Sequence, residues 1–378
     1  MKARTLLSIV VILASAGLVS CTADGGDIYW TIENEVKTVD NLLPSTLTAW
    51  DIAKASTGLY SVAAGGIYQG TLTGSAISWT PNNSTPTSYP YNPANGALCN
   101  ALASFSGRTW GGFDLAGGTA LGLEESDASF SFASSTPIVD TNGNITGKQI
   151  SLLSAPNGNA VLFAVCVELN YSVGLYYSTN GTAWSPCTGL QGITSYPISG
   201  VAWDGTQYWA VSGTTVYRSP AGNPASFSAI ATQPVGSSDI RGITVGQGAE
   251  AGWLFLPTRI GGIWYSSNGG ASWANIAAPI VSSVTVGLLT VSGPVDSAGN
   301  IYLVGSDGYG YYTLNLTLPA LTRMSMSTIA LYAESIRKIF VDAGFVLVGT
   351  NGHGVWSASF DPSTGDLTSG TSWTGPTS

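Results

Sequence analysis

Apolar and polar residues alternate along this chain in short runs, each ending in a cluster of glycine, asparagine, serine or proline. That is the period of half-buried strands joined by tight turns. The stretch Gly262-Ile263-Trp264-Tyr265-Ser266-Ser267-Asn268-Gly269-Gly270-Ala271-Ser272-Trp273 shows the pattern most fully. It reads as a strand, a glycine turn, and a second strand opened by tryptophan. Outside the N-terminus no stretch keeps a sustained helical period.

Looser copies recur along the chain. They stand at Gly66-Ile67-Tyr68 with Trp79, Gly122-Leu123-Glu124 with Phe130, Gly174-Leu175-Tyr176 with Trp184, and Thr215-Val216-Tyr217 with Phe227. Three more follow: Gly262-Ile263-Trp264 with Trp273, Tyr309-Gly310-Tyr311 with a blurred partner, and Gly354-Val355-Trp356 with Trp373. The third residues of these triplets are 56, 52, 41, 47, 47 and 45 positions apart. Seven four-stranded units at such a period predict an all-β fold, a single β-propeller of seven blades, with six or eight as alternatives. The unit at Ile198–Ile230 parses into strands at 198–203, 207–211, 214–218 and 226–230, with Asp204-Gly205-Thr206 as a hairpin turn. Each such unit hides its apolar faces only against its neighbours, so the ring has to close. Ile28-Tyr29-Trp30-Thr31 and Ser372-Trp373-Thr374 both resemble a blade's outermost strand, and either could occupy the closing position. Pro81 to Pro93, ending in Tyr89-Pro90-Tyr91-Asn92-Pro93, reads as a stiff connector between blades.

Composition narrows the picture. Charged residues make up 9% of the 378, hydrophobic residues 44%, and there are 48 glycines. Disordered chains combine the opposite properties, so disorder is excluded. The formal net charge of −9 gives no electrostatic footprint for a phosphate backbone, which excludes nucleic acid as a partner.

Lys2 and Arg4 precede the short apolar run Leu6–Leu18, and Leu18-Val19-Ser20-Cys21 follows. The run suits a secretory signal better than a membrane span. This segment resembles a bacterial lipoprotein signal with its lipobox. The resemblance implies a signal peptide over 1–20, a lipidated Cys21 with a short tether over 21–27, and the propeller domain over 28–378. The alternative is an ordinary signal cut nearby. Acyl chains on Cys21 would hold the protein to a membrane of the cell envelope, each buried CH2 contributing about 0.8 kcal/mol.

The turn Ser266-Ser267-Asn268-Gly269-Gly270-Ala271-Ser272-Trp273 resembles the Asp-box, or BNR repeat, with asparagine in place of aspartate. Ser178-Thr179-Asn180-Gly181-Thr182-Ala183-Trp184 is a version one residue shorter, and Ser126–Phe130 and Ser219–Phe227 are degenerate copies. Asp-box proteins are propellers and include sialidases, sortilin-type receptors and photosystem II assembly factors. In them the box joins the third and fourth strands and is structural. The resemblance therefore gives Ser266, Asn268, Gly270, Trp273, Ser178, Asn180, Gly181 and Trp184 structural roles. The asparagine would accept backbone N–H groups, glycine would permit positive φ, and tryptophan would bury its ring in the blade core.

Candidate chemistry is sparse. A sialidase needs three converging arginines, yet none lies between Asp27 and Gly107, and Arg108, Arg218, Arg241, Arg259, Arg323 and Arg337 are scattered. Other glycoside hydrolases need a carboxylate pair across a cleft. Glu124 and Glu125 are adjacent on a strand and point to opposite faces. Asp51, Asp114, Asp204, Asp296 and Asp307 read as turn or strand-end residues. Asp140-Thr141-Asn142-Gly143-Asn144 lacks the distal glutamate of an EF-hand, leaving weak calcium binding there as an open alternative. His353 is the single histidine, so no metal site and no catalytic triad is expected. Beyond Cys21, an odd set of three cysteines remains. Cys166 and Cys187 fall on the second and fourth strands of one blade, about 9.6 Å apart, so buried free thiols are expected, with a bridge as the alternative. No catalytic residue, metal or cofactor is assigned. The expected function is that of a monomeric, lipid-anchored binding or scaffolding module for a protein or glycan. A carbohydrate-active enzyme on the same scaffold is the alternative.

Overall fold

The computed structural model describes residues 47–375 apart from 56–57, 74–75, 82–96, 116–121, 128–130, 135–137, 140–148, 159, 169–170, 194–195, 235, 237–238, 324–328, 343, 365–366 and 368–372. The signal segment, Cys21, the tether, Ile28–Thr31, Phe130 and the Asp140–Asn144 stretch lie outside the described residues.

The chain is a seven-bladed β-propeller of antiparallel sheets. Blade 1 holds β1 (Asp51–Lys54), β2 (Tyr60–Ala64), β3 (Gly66–Thr73) and β4 (Ala76–Pro81). Blade 2 holds β5 (Ala97–Phe105), β6 (Arg108–Leu115), β7 (Leu123–Ser126) and β8 (Phe132–Ser134). In blade 3 these are β9 (Ile150–Ser154), β10 (Leu162–Glu168), β11 (Tyr171–Ser178) and β12 (Ser185–Gln191), and in blade 4 β13 (Ile198–Trp203), β14 (Tyr208–Ser212), β15 (Thr215–Arg218) and β16 (Ser228–Ala229). Blade 5 follows with β17 (Thr244–Val245), β18 (Leu254–Pro257), β19 (Ile263–Ser266) and β20 (Ala274–Ile276). A small hairpin, β21 (Ile280–Val281) and β22 (Val284–Thr285), leads into blade 6, which holds β23 (Leu288–Pro294), β24 (Ile301–Ser306), β25 (Tyr311–Asn315) and β26 (Ala320–Arg323). One helical turn, α1 (Ile329–Tyr332), precedes blade 7, with β27 (Ile336–Asp342), β28 (Phe345–Thr350) and β29 (Val355–Ser359). Every glycine–aromatic triplet of the sequence pattern falls on or at the start of a third strand.

The ring closes in two ways. Ser357 and Thr374 exchange both backbone bonds, at 2.9 and 2.8 Å, so the C-terminal segment supplies the fourth position of blade 7. The lead-in to blade 1 is tied to blade 7 as well: Ala49 N–H donates to the Thr350 carbonyl at 2.9 Å, and Gly354 N–H to that of Leu47 at 2.8 Å.

The core is distributed as one apolar cluster per blade interface. The second strand of each blade supplies both of its faces, because successive strand residues point opposite ways. Leu162 and Ala164 pack towards blade 2, while Phe163 and Val165 pack towards blade 4. Tyr208 and Trp209 divide in the same manner, as do Leu303 and Val304. With both faces buried, these strands read as unbroken apolar runs rather than alternating ones. The three described cysteines are buried and in no disulfide, and each belongs to a different interface: Cys99 between blades 1 and 2, Cys166 between 2 and 3, Cys187 between 3 and 4. Cys166 and Cys187 thus point to opposite sides of blade 3.

Candidate functional site: a ring of bulged residues around the central channel

Each blade's first strand faces the central channel, where a cavity of about 330 Å³ opens. Seven equivalent residues ring it: Trp50, Asn100, Ser151, Ser199, Arg241, Leu289 and Arg337. In every blade the residue immediately before is fully buried, namely Ala49, Cys99, Ile150, Ile198, Ile240, Leu288 and Ile336. In five blades the ring residue is also the extra residue of a β-bulge. The register slips between Cys99 and Ala101, between Ile150 and Leu152, between Ile198 and Gly200, between Leu288 and Thr290, and between Ile336 and Lys338. A bulge leaves one residue out of the ladder and re-aims its side chain. Here it lets the preceding aliphatic residue stay in the interface while the next one turns to the channel.

At and just below the ring, side chains stitch five of the first strands to the next blade. Lys338 of blade 7 pairs with Asp51 Oδ1 at 2.7 Å. Asp51 Oδ2 accepts the Leu102 N–H of blade 2 at 3.0 Å, and Oδ1 accepts the N–H of Ile52 at 2.9 Å. Ser154 donates to the Val201 carbonyl at 3.2 Å, Ser199 to that of Ile240 at 2.7 Å, and Thr244 to that of Val291 at 2.8 Å. Asp51, read from sequence as a turn or strand-end residue, does open β1, and it also joins three blades. Asp204 and Asp296 do cap turns, accepting N–H groups of Thr206 and Gln207 and of Asn300 and Ile301 respectively.

The channel is positively charged within an acidic chain. Among its lining residues Arg241, Arg337 and Lys338 face one carboxylate, Asp51. Arg337 is held in place, its guanidinium 4.5 Å over the Trp50 ring and its Nε donating to Asn351 Oδ1 at 3.2 Å. Arg241 is exposed, and among the described residues its guanidinium has no partner. Carboxylates on the surrounding loops are engaged elsewhere. Glu334 lies 2.7 Å from His353 Nδ1, Asp239 4.0 Å from Arg259, and Asp307 accepts the Ser335 hydroxyl at 2.7 Å. Among the described residues no cluster of metal-ligating side chains occurs.

The sequence treated Arg241 and Arg337 as scattered. Their common signal is position: each directly follows a buried isoleucine paired to its blade's second strand, Ile240 to Thr258 and Ile336 to Thr350, a correspondence visible only in the folded ring.

Strand directions alternate within each blade, so first strands begin on the face opposite the turns that join third to fourth strands. The Ser266–Trp273 turn lies on that other face. Ser266 Oγ accepts the Gly270 N–H at 2.9 Å, and Asn268 Oδ1 accepts the Ser272 N–H at 2.9 Å. In the shorter turn, Ser178 Oγ accepts the Gly181 N–H at 2.8 Å, and Asn180 Oδ1 accepts those of Thr182 and Ala183 at 2.9 Å. Trp273 and Trp184 are half-buried rather than enclosed. Trp273 covers the rim of its cluster and donates its Nε1–H to the Thr232 carbonyl at 2.9 Å, because it opens an outermost strand and has solvent on one side.

Glu124, on β7, is fully buried beside Cys99, and neither carboxyl oxygen has a hydrogen-bond partner among the described residues. Burial pushes its pKa up to about 8. Glu125 points the other way and pairs with Arg108 at 2.8 Å.

No protein-family model matches the sequence. No curated protein matches it either. Solved structures do. The chain is similar to YCF48 bound to D1 peptide, with a TM-score of 0.60 at 14% identity over 87% of this chain and 96% of that one. It is similar to the extracellular domain of the putative one-component system BT4673 from B. thetaiotaomicron, with a TM-score of 0.58 at 15% identity over 84% of this chain and 39% of that one. A third likeness is to PorZ, described as a bacterial surface component of the type-IX secretion system of Porphyromonas gingivalis, with a TM-score of 0.54 at 11% identity over 87% of this chain and 39% of that one. At such identities the likeness is one of fold, the β-propeller.

Proposed function

We propose that this chain is a non-catalytic binding or scaffolding module of the bacterial cell envelope, held to the membrane as a monomer through lipidated Cys21, and that its partner, a protein or a glycan, docks at the face onto which the bulge ring opens. The observation that carries this reading is the charge pattern of the channel. Among the described lining residues it offers one carboxylate, already bonded to Lys338 and two backbone N–H groups, where glycoside hydrolysis uses two with room for a sugar between them. The neighbours in fold support the setting: two are described as extracellular or surface components, and one as bound to a peptide. On this reading the Ser266 and Ser178 turns are Asp-boxes that brace the opposite face.

Two measurements test it. Labelled palmitate should enter the wild-type chain and not Cys21→Ser, which should leave the membrane fraction. Incubation of the full chain with a panel of envelope and host glycans should release no reducing ends. Turnover of any of them would replace this reading with that of a glycoside hydrolase.

A further inference from the structure

The bulge ring is built the same way around the channel, yet its members are not chemically alike. Five are neutral, and two are arginines. With Lys338 set against Asp51, the lining carries a surplus of two positive charges inside a chain whose net charge is −9. A surplus of that sign, gathered in one cavity, favours an anion. Its size also fits: about 330 Å³ lies within the range of small-molecule sites.

We propose that the ring binds a small hydroxy-carboxylate, with Arg241 as the residue that grips the carboxylate. Arg241 presents a planar fork of donors, which matches two coplanar oxygens better than it matches a spherical anion. Arg337, steadied by Trp50 and Asn351, adds charge without having to move. The neutral members Ser151, Ser199 and Asn100 suit hydroxyl groups on the ligand. An amino acid fits less well, because its ammonium group would enter a site that already holds excess positive charge. This inference rests on the binding-module reading and adds a small-molecule ligand at the face where the protein or glycan partner docks.

The test is titration calorimetry of the full chain in detergent at low salt, with D-gluconate, its uncharged counterpart sorbitol, inorganic phosphate and an acidic peptide as probes. Gluconate is expected to bind and sorbitol not. Arg241→Ala should weaken gluconate about tenfold or more, with the melting temperature unchanged, and Arg241→Lys should restore only part of the loss. Raising the salt to about 0.5 M should also weaken binding, as Coulomb attraction is screened. Equal binding of sorbitol, tighter binding of phosphate, an affinity untouched by Arg241→Ala, or absence of gluconate binding would each overturn the proposal. So would preference for an acidic peptide over gluconate, which would assign the carboxylate to a protein partner. Failure here with no glycan cleaved removes only the ligand class, whereas glycan cleavage removes the binding-module reading itself.

Discussion

Gly181, in the short turn of blade 3, lies against the ring of Trp110 in blade 2: a Cβ placed on it would come within 2.4 Å of Trp110 Cζ2. Gly270 stands in the same relation to Trp209 one blade on from that tryptophan, at 3.2 Å. The two Ser-Asn turns therefore do more than reverse the chain. Each presses a bare backbone onto a tryptophan of the preceding blade, so that turn and blade interface depend on one residue type.

Gly181→Ala should destabilise the protein by about 2–4 kcal/mol, since it adds both a left-handed strain at φ +79° and an overlap with a fully buried ring. Gly269→Ala is the control. It shares a positive φ of +65° but meets nothing within 4 Å, so about 1 kcal/mol is expected. Urea denaturation of the two variants should separate them, and equal losses would show that only backbone strain matters.

The two tryptophans of the blade 4–5 interface should differ in the same way. Trp209 is fully enclosed and donates to Asp204 Oδ2 at 2.8 Å, so Trp209→Ala should cost about 3–5 kcal/mol. Trp273 is half-buried at the rim, and Trp273→Ala should cost about 1–2 kcal/mol. Calorimetric melting of both variants checks the order, and a larger loss at Trp273 would reverse it.

Asp51 and Lys338 should be unequal partners. Their side chains are 13% and 38% exposed, so the ion pair itself contributes at most about 1 kcal/mol after screening. Lys338→Ala should therefore be mild. Asp51→Ala also strips acceptors from two backbone N–H groups and should cost about 2–3 kcal/mol. A double-mutant cycle measures the coupling, and similar losses from both single changes would mean that the pair, not the backbone bonds, dominates.

Glu124 makes stability depend on pH with a definite sign. Its pKa is about 8 when folded against 4.5 for the free group, so between those values the folded chain keeps a proton that the unfolded chain releases. Stability from this group is complete below about pH 4.5, declines as pH rises towards 8 by about 1.4 kcal/mol per unit, and is flat above. Glu124→Gln should remove that slope, so the variant should gain on the wild type steadily from pH 5 to 8 in denaturation midpoints. A constant difference across that range would mean that Glu124 does not titrate there.

The strand order, the number of repeats and the turn chemistry were legible in the sequence, because each is a local property. Alternation of two, a glycine where φ must be positive, and an asparagine that bonds two to four residues ahead all lie within a few positions of one another. Hence Gly262-Ile263-Trp264 marked a third strand, and Ser266 to Trp273 marked the turn after it. The assignment of the closing strand to Trp373-Thr374 was not local and came only from its pairing with Ser357. The second strands gave a weaker signal: Leu162 to Val165 shows no alternation, since both faces are buried, and only the ring says which residue faces which neighbour. Asp51 was legible as a strand-end residue, but its partners Leu102 and Lys338 are distant in the chain and left no local signal. The two arginines were the hardest to see. Arg241 and Arg337 stand apart in sequence and share a channel because a bulge after Ile336, and an equivalent step after Ile240, turns each of them inward. Local pattern determined the wedges, and closure of the ring decided which side chains meet at its centre, since that depends on distances no short stretch of chain can encode.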